Sequence, residues 1–392
     1  MRVLDLADEK ASFCTRLLAD LGACVIKIEK PGGDPSRKIG PFLKNSGYPL
    51  KSLSFFYNNL NKLGITLDIE REEGKSIFLR LVEGADVVVE TLPPGYLEEI
   101  DLSFDKLKDI NPKLIMASVT GFGQKGPKSG YKSCDIVASA FGGHMYVSGS
   151  PSTPPLKIFG EQSCYSASLY AAVGILIAMR KRDREGVGTH LDISLEESMV
   201  STLEHVLLRY FAEGIVPKRE GDRHWNNTFF ILPCKDGSIH LTIFQQWDTL
   251  IELLDSEGMT ADLKEKKWND EKFRTENIDH IVEVISRWTK RHEVQELFEL
   301  GQLMRFPWAK IQSPMELTDN PQLMARNFFI PIKYSDDEIP MMCPGIPYKL
   351  DPVFTMPQRH APEPGEDNLE IYHEELGIPD EELKRLYSLK VI

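Results

Sequence analysis

The chain has 392 residues and a formal net charge of -13, with 42% hydrophobic and 27% charged residues. That length suits two ordinary domains with a sizeable core. The acidic balance argues against nucleic acid, because phosphate binding needs a basic face, although local Arg and Lys can still hold a small anion.

Strands and helices alternate through the first half. Arg2–Leu6 reads as a strand, Ala11–Leu21 as a helix with Leu17, Leu18 and Leu21 on one face, and Cys24–Ile28 as a second strand ended by Pro31-Gly32-Gly33. Ile65–Ile69 is a further strand, Glu73–Glu83 a helix, and Val87–Val89 a buried strand stopped by Pro93-Pro94-Gly95. Ser103 is an N-cap signal for a helix carrying Leu107 and Ile110, and Leu114–Val119 is the next strand. Strands spaced by helical segments of this length imply βαβ crossovers and a parallel sheet. Ser166–Arg182 predicts a long apolar helix, followed by a strand at His190–Ile193 and a helix over Glu196–Phe211. The character changes near Gly214. Asn227–Leu232 and Ser238–Ile243 flank Lys235-Asp236-Gly237, a hairpin signal. Helices near Trp247–Leu254, Asp279–Trp288 and Glu293–Leu300 suggest a smaller α/β unit, and the Pro- and Gly-rich tail ends in a helix at Asp380–Leu386.

Met1 and Arg2 lead straight into a strand, with no secretory leader. The longest apolar run, Leu169–Met179, is shorter than the roughly 20 residues that cross a bilayer. A cytoplasmic chain with no membrane partner is the expectation. The six cysteines contain no C-x-x-C pair and the histidines no ligand spacing, so neither a metal site nor a disulfide framework is expected. Gly121-Phe-Gly123-Gln124-Lys-Gly126 matches G-x-G-x-x-G after a strand, but no helical period follows it. A loop turning the chain at the carboxyl end of the sheet fits better than a dinucleotide cradle. Arg37 and Lys38, after Gly32-Gly33-Asp34, suit either an anion site or a solvated turn. Ser163 and Ser166 lack the G-x-S-x-G elbow of a serine hydrolase. The aromatics Trp225, Phe229 and Phe230 read as core or interface.

The order of short blocks carries more than any one of them. Val3–Leu6, Leu18–Ala23, Val25–Gly32, Asn61-Lys62 with Thr66–Asp68, Ala85–Glu90 with Pro94-Gly95, Asn111–Ile115 leading to Gly121–Gln124 and Gly126-Pro127, Asp135–Ala138, Leu169–Ile175 and Asp192–Leu195 resemble family III CoA-transferases in sequence. Asn320-Pro321, Pro344–Pro347, Ala361-Pro362 and Gly365 continue the resemblance through the tail. It implies an α/β fold: a doubly wound large domain made from both chain ends (1–200 and 330–392), a smaller α/β domain (215–325), and two subunits interlocked like rings. It implies CoA thioesters as substrates with no tightly bound cofactor, with Arg37, Lys38, Gly121, Gly123 and Gln124 near the CoA. It also implies an aspartate nucleophile that attacks the donor thioester, forms a mixed anhydride, then an aspartyl-CoA thioester, and hands CoA to an acceptor acid.

An ungapped fit through Leu156-Lys157 and Leu169–Ala172 puts Cys164 at the nucleophile position, with Glu161 as the nearest carboxylate. Thr91 and Pro93 stand where many members carry Asn and Arg, Asn58–Leu63 lacks a customary Arg, and Ala7–Ala11 replaces an apolar-Gly-Pro turn. These departures imply a non-catalytic subunit whose paralogous partner supplies the aspartate. Such a heteromer would move CoA from a donor such as succinyl-CoA to a carboxylic acid such as benzylsuccinate. The alternatives are a self-sufficient transferase using Glu161 or Cys164, and a 2-methylacyl-CoA racemase-like isomerase pairing Cys134 with Cys164.

Overall fold

The structure is a computed structural model that describes residues 1–44, 51–221, 229–243, 246–333, 340–350 and 359–392. Trp225 and the expected start of a strand at Asn227 lie outside these residues.

Six parallel strands form the main sheet: β1 (Arg2–Leu6), β2 (Cys24–Glu29), β3 (Leu63–Thr66), β4 (Val87–Glu90), β5 (Ile115–Thr120) and β6 (Thr189–Ser194), in the order β3-β2-β1-β4-β5-β6. This is the doubly wound order, and its reversal between β1 and β4 opens the crevice where such sheets bind ligands, at the carboxyl ends of the strands. Side chains alternate between two cores, as the pleat requires. Val3, Val25, Val87, Val89 and Ala117 meet Leu18 of the Ser12–Asp20 helix and Ala167, Ala171 and Ile175 of a long helix, Gln162–Glu185. Leu4, Ile26, Val88 and Met116 meet Ile77, Phe78 and Leu81 of the Glu72–Glu83 helix, together with Ile371, Tyr372 and Leu386 from the chain end. The tail also covers the exposed edge of β3. Gly64 N–H donates to Asp367 Oδ2 at 2.7 Å, Thr66 N–H to Asn368 Oδ1 at 2.9 Å, and Tyr372 Oη–H to Thr66 O at 2.7 Å. Edge backbone that would otherwise need water is thereby satisfied.

The chain divides into two compact units. One comprises Met1–Met145, Lys157–Val216 and Arg326–Ile392, and the other Tyr146–Leu156 and Pro217–Ala325. The segment Tyr146–Leu156 joins the second unit because Gly221 N–H donates to Gly149 O at 3.0 Å and Arg219 donates to Ser150 O and Tyr146 O at 3.2 and 3.3 Å. The second unit has an antiparallel hairpin, Phe229–Pro233 with Ser238–Thr242, packed on helices around Trp288, Trp308 and Phe306. Phe230 lies in this core.

Two helices depart from expectation. The long helix starts at Gln162, four residues early, and ends at Gly186, whose φ of 77° gives the left-handed C-cap that glycine adopts freely. The apolar run Leu169–Met179 therefore sits in a 24-residue helix, long and apolar enough by length and composition to cross a membrane, with 44% of its most apolar stretch buried in the chain's own core. The single helix expected over Glu196–Phe211 is two, Leu195–Ser201 and His205–Glu213, broken at Glu204, whose φ is 48°. Thr202 Oγ1–H and N–H both turn back onto Met199 O and end the first helix.

Candidate active site

The carboxyl end of β1 is built on a buried ion pair. Lys62 Nζ donates to Asp5 Oδ2 at 2.9 Å, Ser12 O at 3.0 Å and Asn59 Oδ1 at 2.7 Å. Asp5 also accepts from Ala7 N–H at 2.9 Å and Thr15 Oγ1–H at 2.7 Å. Burial lowers the Lys62 ammonium to about 8, with Asp5 opposing that shift. The pair fixes the turn Ala7–Ala11, and Asp8 N–H donates to Thr91 Oγ1 at 2.9 Å, which ties the turn to the loop after β4. The turn carries Glu9, half-buried, its carboxyl raised by burial and by Asp8.

The long helix points its first turn into this region. Its N-cap, Glu161, makes no side-chain cap hydrogen bond. Asp135, the first residue of the Asp135–Phe141 helix, supplies the cap instead: Oδ1 accepts from Ser163 N–H and Oγ–H, both at 2.8 Å. Lys157 Nζ lies 2.7 Å from Asp135 Oδ2 and also donates to Gly160 O. Cys164 is inside that first turn and only 4% exposed. Burial pushes its thiol far up, and Asp135, Glu161 and Glu9 push it further. Glu161 is half-buried and raised by burial and then by Asp135, with Lys157 opposing. Position 164 is thus a protonated thiol amid carboxylates. A thiol reacts as its thiolate, which this surrounding disfavours.

The other sequence-derived positions serve mostly as scaffold. Arg37 holds an internal anion: Nε and Nη2 donate to the two carboxylate oxygens of Glu29 at 2.7 and 2.6 Å, Nη2 also donates to Pro362 O at 2.6 Å, and Cζ lies 3.9 Å from the Phe55 ring centroid. It clasps the end of β2 to the tail. Lys38 is exposed. The glycine loop opens no helix, and the next one begins only at Asp135. Gln124 N–H, the donor a phosphate would take, points at both carboxylate oxygens of Asp192 at 3.0 Å, so the loop already holds an internal anion. Gly123, at φ 84°, makes that turn, while a Cβ on Gly121 would fall 2.2 Å from Ser133 Cβ. Cys134 is exposed, unlike Cys164. Among the described residues no group of His, Cys, Asp and Glu could hold a metal ion.

Sequence reading missed Glu9, Glu90, Asp135 and Lys157. Asp135 lies in the Asp135–Ala138 segment, and the helix it starts becomes visible only in the fold. Glu90, at the end of β4, is 3% exposed and raised by burial to about 7, with Ser118 and the Leu92 N–H pulling the other way. The folded chain holds this proton where the unfolded chain has released it, so stability falls as pH rises from about 4.5 to about 7. Glu90→Gln keeps an acceptor for Leu92 N–H. It is expected to raise stability by about 3 kcal/mol at pH 8 and to leave it unchanged near pH 4, measured by urea unfolding at both values.

The family model for CoA-transferase family III matches residues 1–368. This chain belongs to CoA-transferase family III. CoA-transferases use CoA thioesters as substrates, and this chain is a CoA-transferase by family. It is 31% identical over 401 residues to the succinyl-CoA:(R)-benzylsuccinate CoA-transferase subunit BbsE of Thauera aromatica, covering 100% of this chain and 97% of that one. The beta and alpha subunits of the succinyl-CoA–L-malate CoA-transferase of Chloroflexus aurantiacus are 30% and 29% identical, each covering 100% of this chain and 97% and 92% of their own lengths. A CAIB/BAIF family protein from Brucella suis shares the fold at a TM-score of 0.86, with 29% identity over 95% of this chain and 98% of that one.

Proposed function

We propose that this chain is the non-catalytic subunit of a heteromeric family III CoA-transferase. A paralogous subunit supplies the nucleophilic aspartate, and the complex moves CoA from succinyl-CoA to an organic acid of the benzylsuccinate kind. The carrying observation is the surrounding of position 164. A nucleophile there would have to form an acyl anhydride and then a CoA thioester while facing two anions, the CoA thiolate and the acceptor carboxylate. Cys164 is buried, its thiol is held protonated, and Glu9, Asp135 and Glu161 repel anions from it. A thiol in that place cannot form the anhydride. Glu161 stands at the N-cap, three residues before position 164, and burial and then Asp135 raise its carboxyl above the usual range. The racemase reading needs two groups that exchange a proton on opposite sides of a carbon, and the buried, raised Cys164 is poorly suited to that. The partner reading draws on the malate transferase, whose two named subunits both match this chain end to end.

The test is transfer from succinyl-CoA to benzylsuccinate by the assembled complex. Cys164→Ala and Glu161→Gln in this chain are expected to leave kcat within about twofold. A loss beyond about tenfold from either sinks the non-catalytic reading.

A further inference from the structure

Glu90, Ser118 and His190 stand in a row across three neighbouring strands. Glu90 on β4 is the register partner of Ser118 on β5. His190 on β6 lies two residues before Asp192, the other partner of Ser118, and so shares its face of the sheet. The Ser118 hydroxyl is hydrogen-bonded to the Glu90 carboxyl and lies 2.8 Å from His190 Nε2. Glu90 and Ser118 are buried, at 3% and 1% exposure. His190 is exposed on the last strand of the sheet order, stacked on Phe104 with ring centroids 5.3 Å apart. Two hydrogen bonds thus join a buried acid, which CoA transfer as described above leaves unused, to a surface imidazole.

A serine hydroxyl has one proton to donate, so with a neutral ring the row has two fully satisfied arrangements. With Glu90 protonated, its O–H donates to Ser118 Oγ and Ser118 Oγ–H donates to His190 Nε2, which leaves the ring proton on Nδ1. With Glu90 ionised, Ser118 Oγ–H donates to the carboxylate and His190 Nε2–H donates to Ser118 Oγ. The change from the first to the second balances: the Glu90 proton passes to Ser118, the Ser118 proton passes to Nε2, and the Nδ1 proton leaves to water. We propose that Ser118 and His190 are a relay through which buried Glu90 exchanges its proton with solvent, and that this row makes the loop after β4 respond to pH.

The surrounding charges set the change near neutrality. Burial raises Glu90 to about 7, with Ser118 and Leu92 N–H opposing, Glu98 raising it further and Lys10 lowering it. Burial also lowers His190, aided by Lys125 and opposed by Asp192, Glu98 and Asp105, so its ring is neutral there and can accept at Nε2. The loop is held by the same carboxyl: Leu92 N–H donates to Glu90 Oε2 at 2.6 Å. That bond becomes charge-assisted when Glu90 ionises, even as the buried charge weakens the fold as a whole. The adjoining Thr91 accepts Asp8 N–H from the turn that carries Glu9, so the change reaches the edge of the candidate site.

The test is nuclear magnetic resonance of the purified assembly, with nitrogen-15 histidine and leucine in this chain and His190→Gln to assign the ring signal. Between pH 6 and pH 9 the His190 ring is expected to change from the Nδ1–H to the Nε2–H form with a midpoint of about 7, and the Leu92 amide proton to move downfield at the same midpoint. Glu90→Gln has no proton to lose in that range and is expected to abolish both steps. A ring that keeps one form throughout in the parent, a stationary Leu92 amide, or a step that persists in Glu90→Gln overturns the proposal. The relay itself is read by a pH jump followed in the infrared at the carboxyl band that Glu90→Gln removes. Ser118→Ala, and His190→Phe at its exposed position, are each expected to slow the loss of that band by roughly tenfold or more. An unchanged rate in either variant overturns the relay. None of these readouts involves CoA transfer, so this inference and the non-catalytic reading fail separately.

Discussion

Cys164→Asp is expected to destabilise the chain by roughly 2–4 kcal/mol at pH 8 and to confer no transfer activity on it. The substitution puts the aspartate expected of a nucleophile at a place that is 4% exposed and near Asp135, Glu161 and Glu9. A new carboxylate there has no cationic partner to itself, because Lys157 is engaged with Asp135 and Gly160. Burial and three like charges raise its folded value above the ordinary aspartate value of about 3.9. The penalty therefore grows as pH rises above that ordinary value and disappears as pH falls to it. Urea unfolding at pH 8 and pH 4 reads the difference, and a transfer assay on the same sample reads activity. A variant as stable as the parent at pH 8, turning over succinyl-CoA alone, contradicts this view of the site.

Lys62→Met is expected to cost about 3–5 kcal/mol, since it removes the cation hydrogen-bonded to Asp5 in the sheet interior and leaves only Lys27, itself paired with Asp34, to offset the charge. Both side chains are fully buried, and the pair binds β1, the following helix and Asn59 together. Adding Asp5→Asn to Lys62→Met should recover part of the loss, because the second change removes the stranded charge. Chemical denaturation of the two single variants and the double variant forms the cycle. Additive losses would show that the two groups do not depend on one another. The functional link is the turn Ala7–Ala11, which this pair anchors and which carries Glu9 to the neighbourhood of Cys164.

The parallel sheet was legible because its strands are continuous apolar runs, Val87-Val88-Val89 most plainly, separated by amphipathic helices. The start of the long helix was not, because its cap is Asp135, 28 residues upstream of Ser163, and local rules look only at the flanking residues. The break at Glu204 was hidden by an uninterrupted apolar pattern. Arg37 resembled an anion ligand in sequence, and only the fold brings up Glu29 and the Pro362 carbonyl, 325 residues away, to occupy it. The same holds for Gln124, whose backbone donor meets Asp192 across 68 residues. At position 164, sequence comparison named the substitution. The electrostatics that make it consequential come from Glu9 and Asp135, which reach the site from two other segments.

The most direct test of the account follows the covalent intermediate. The assembled complex is mixed with succinyl-CoA, quenched, and each chain is weighed by intact-mass spectrometry, with peptide mapping of any adduct. The account predicts a CoA adduct on an aspartate of the partner chain and an unmodified mass for this one. A CoA or acyl adduct on Glu161 or Cys164 of this chain would contradict it.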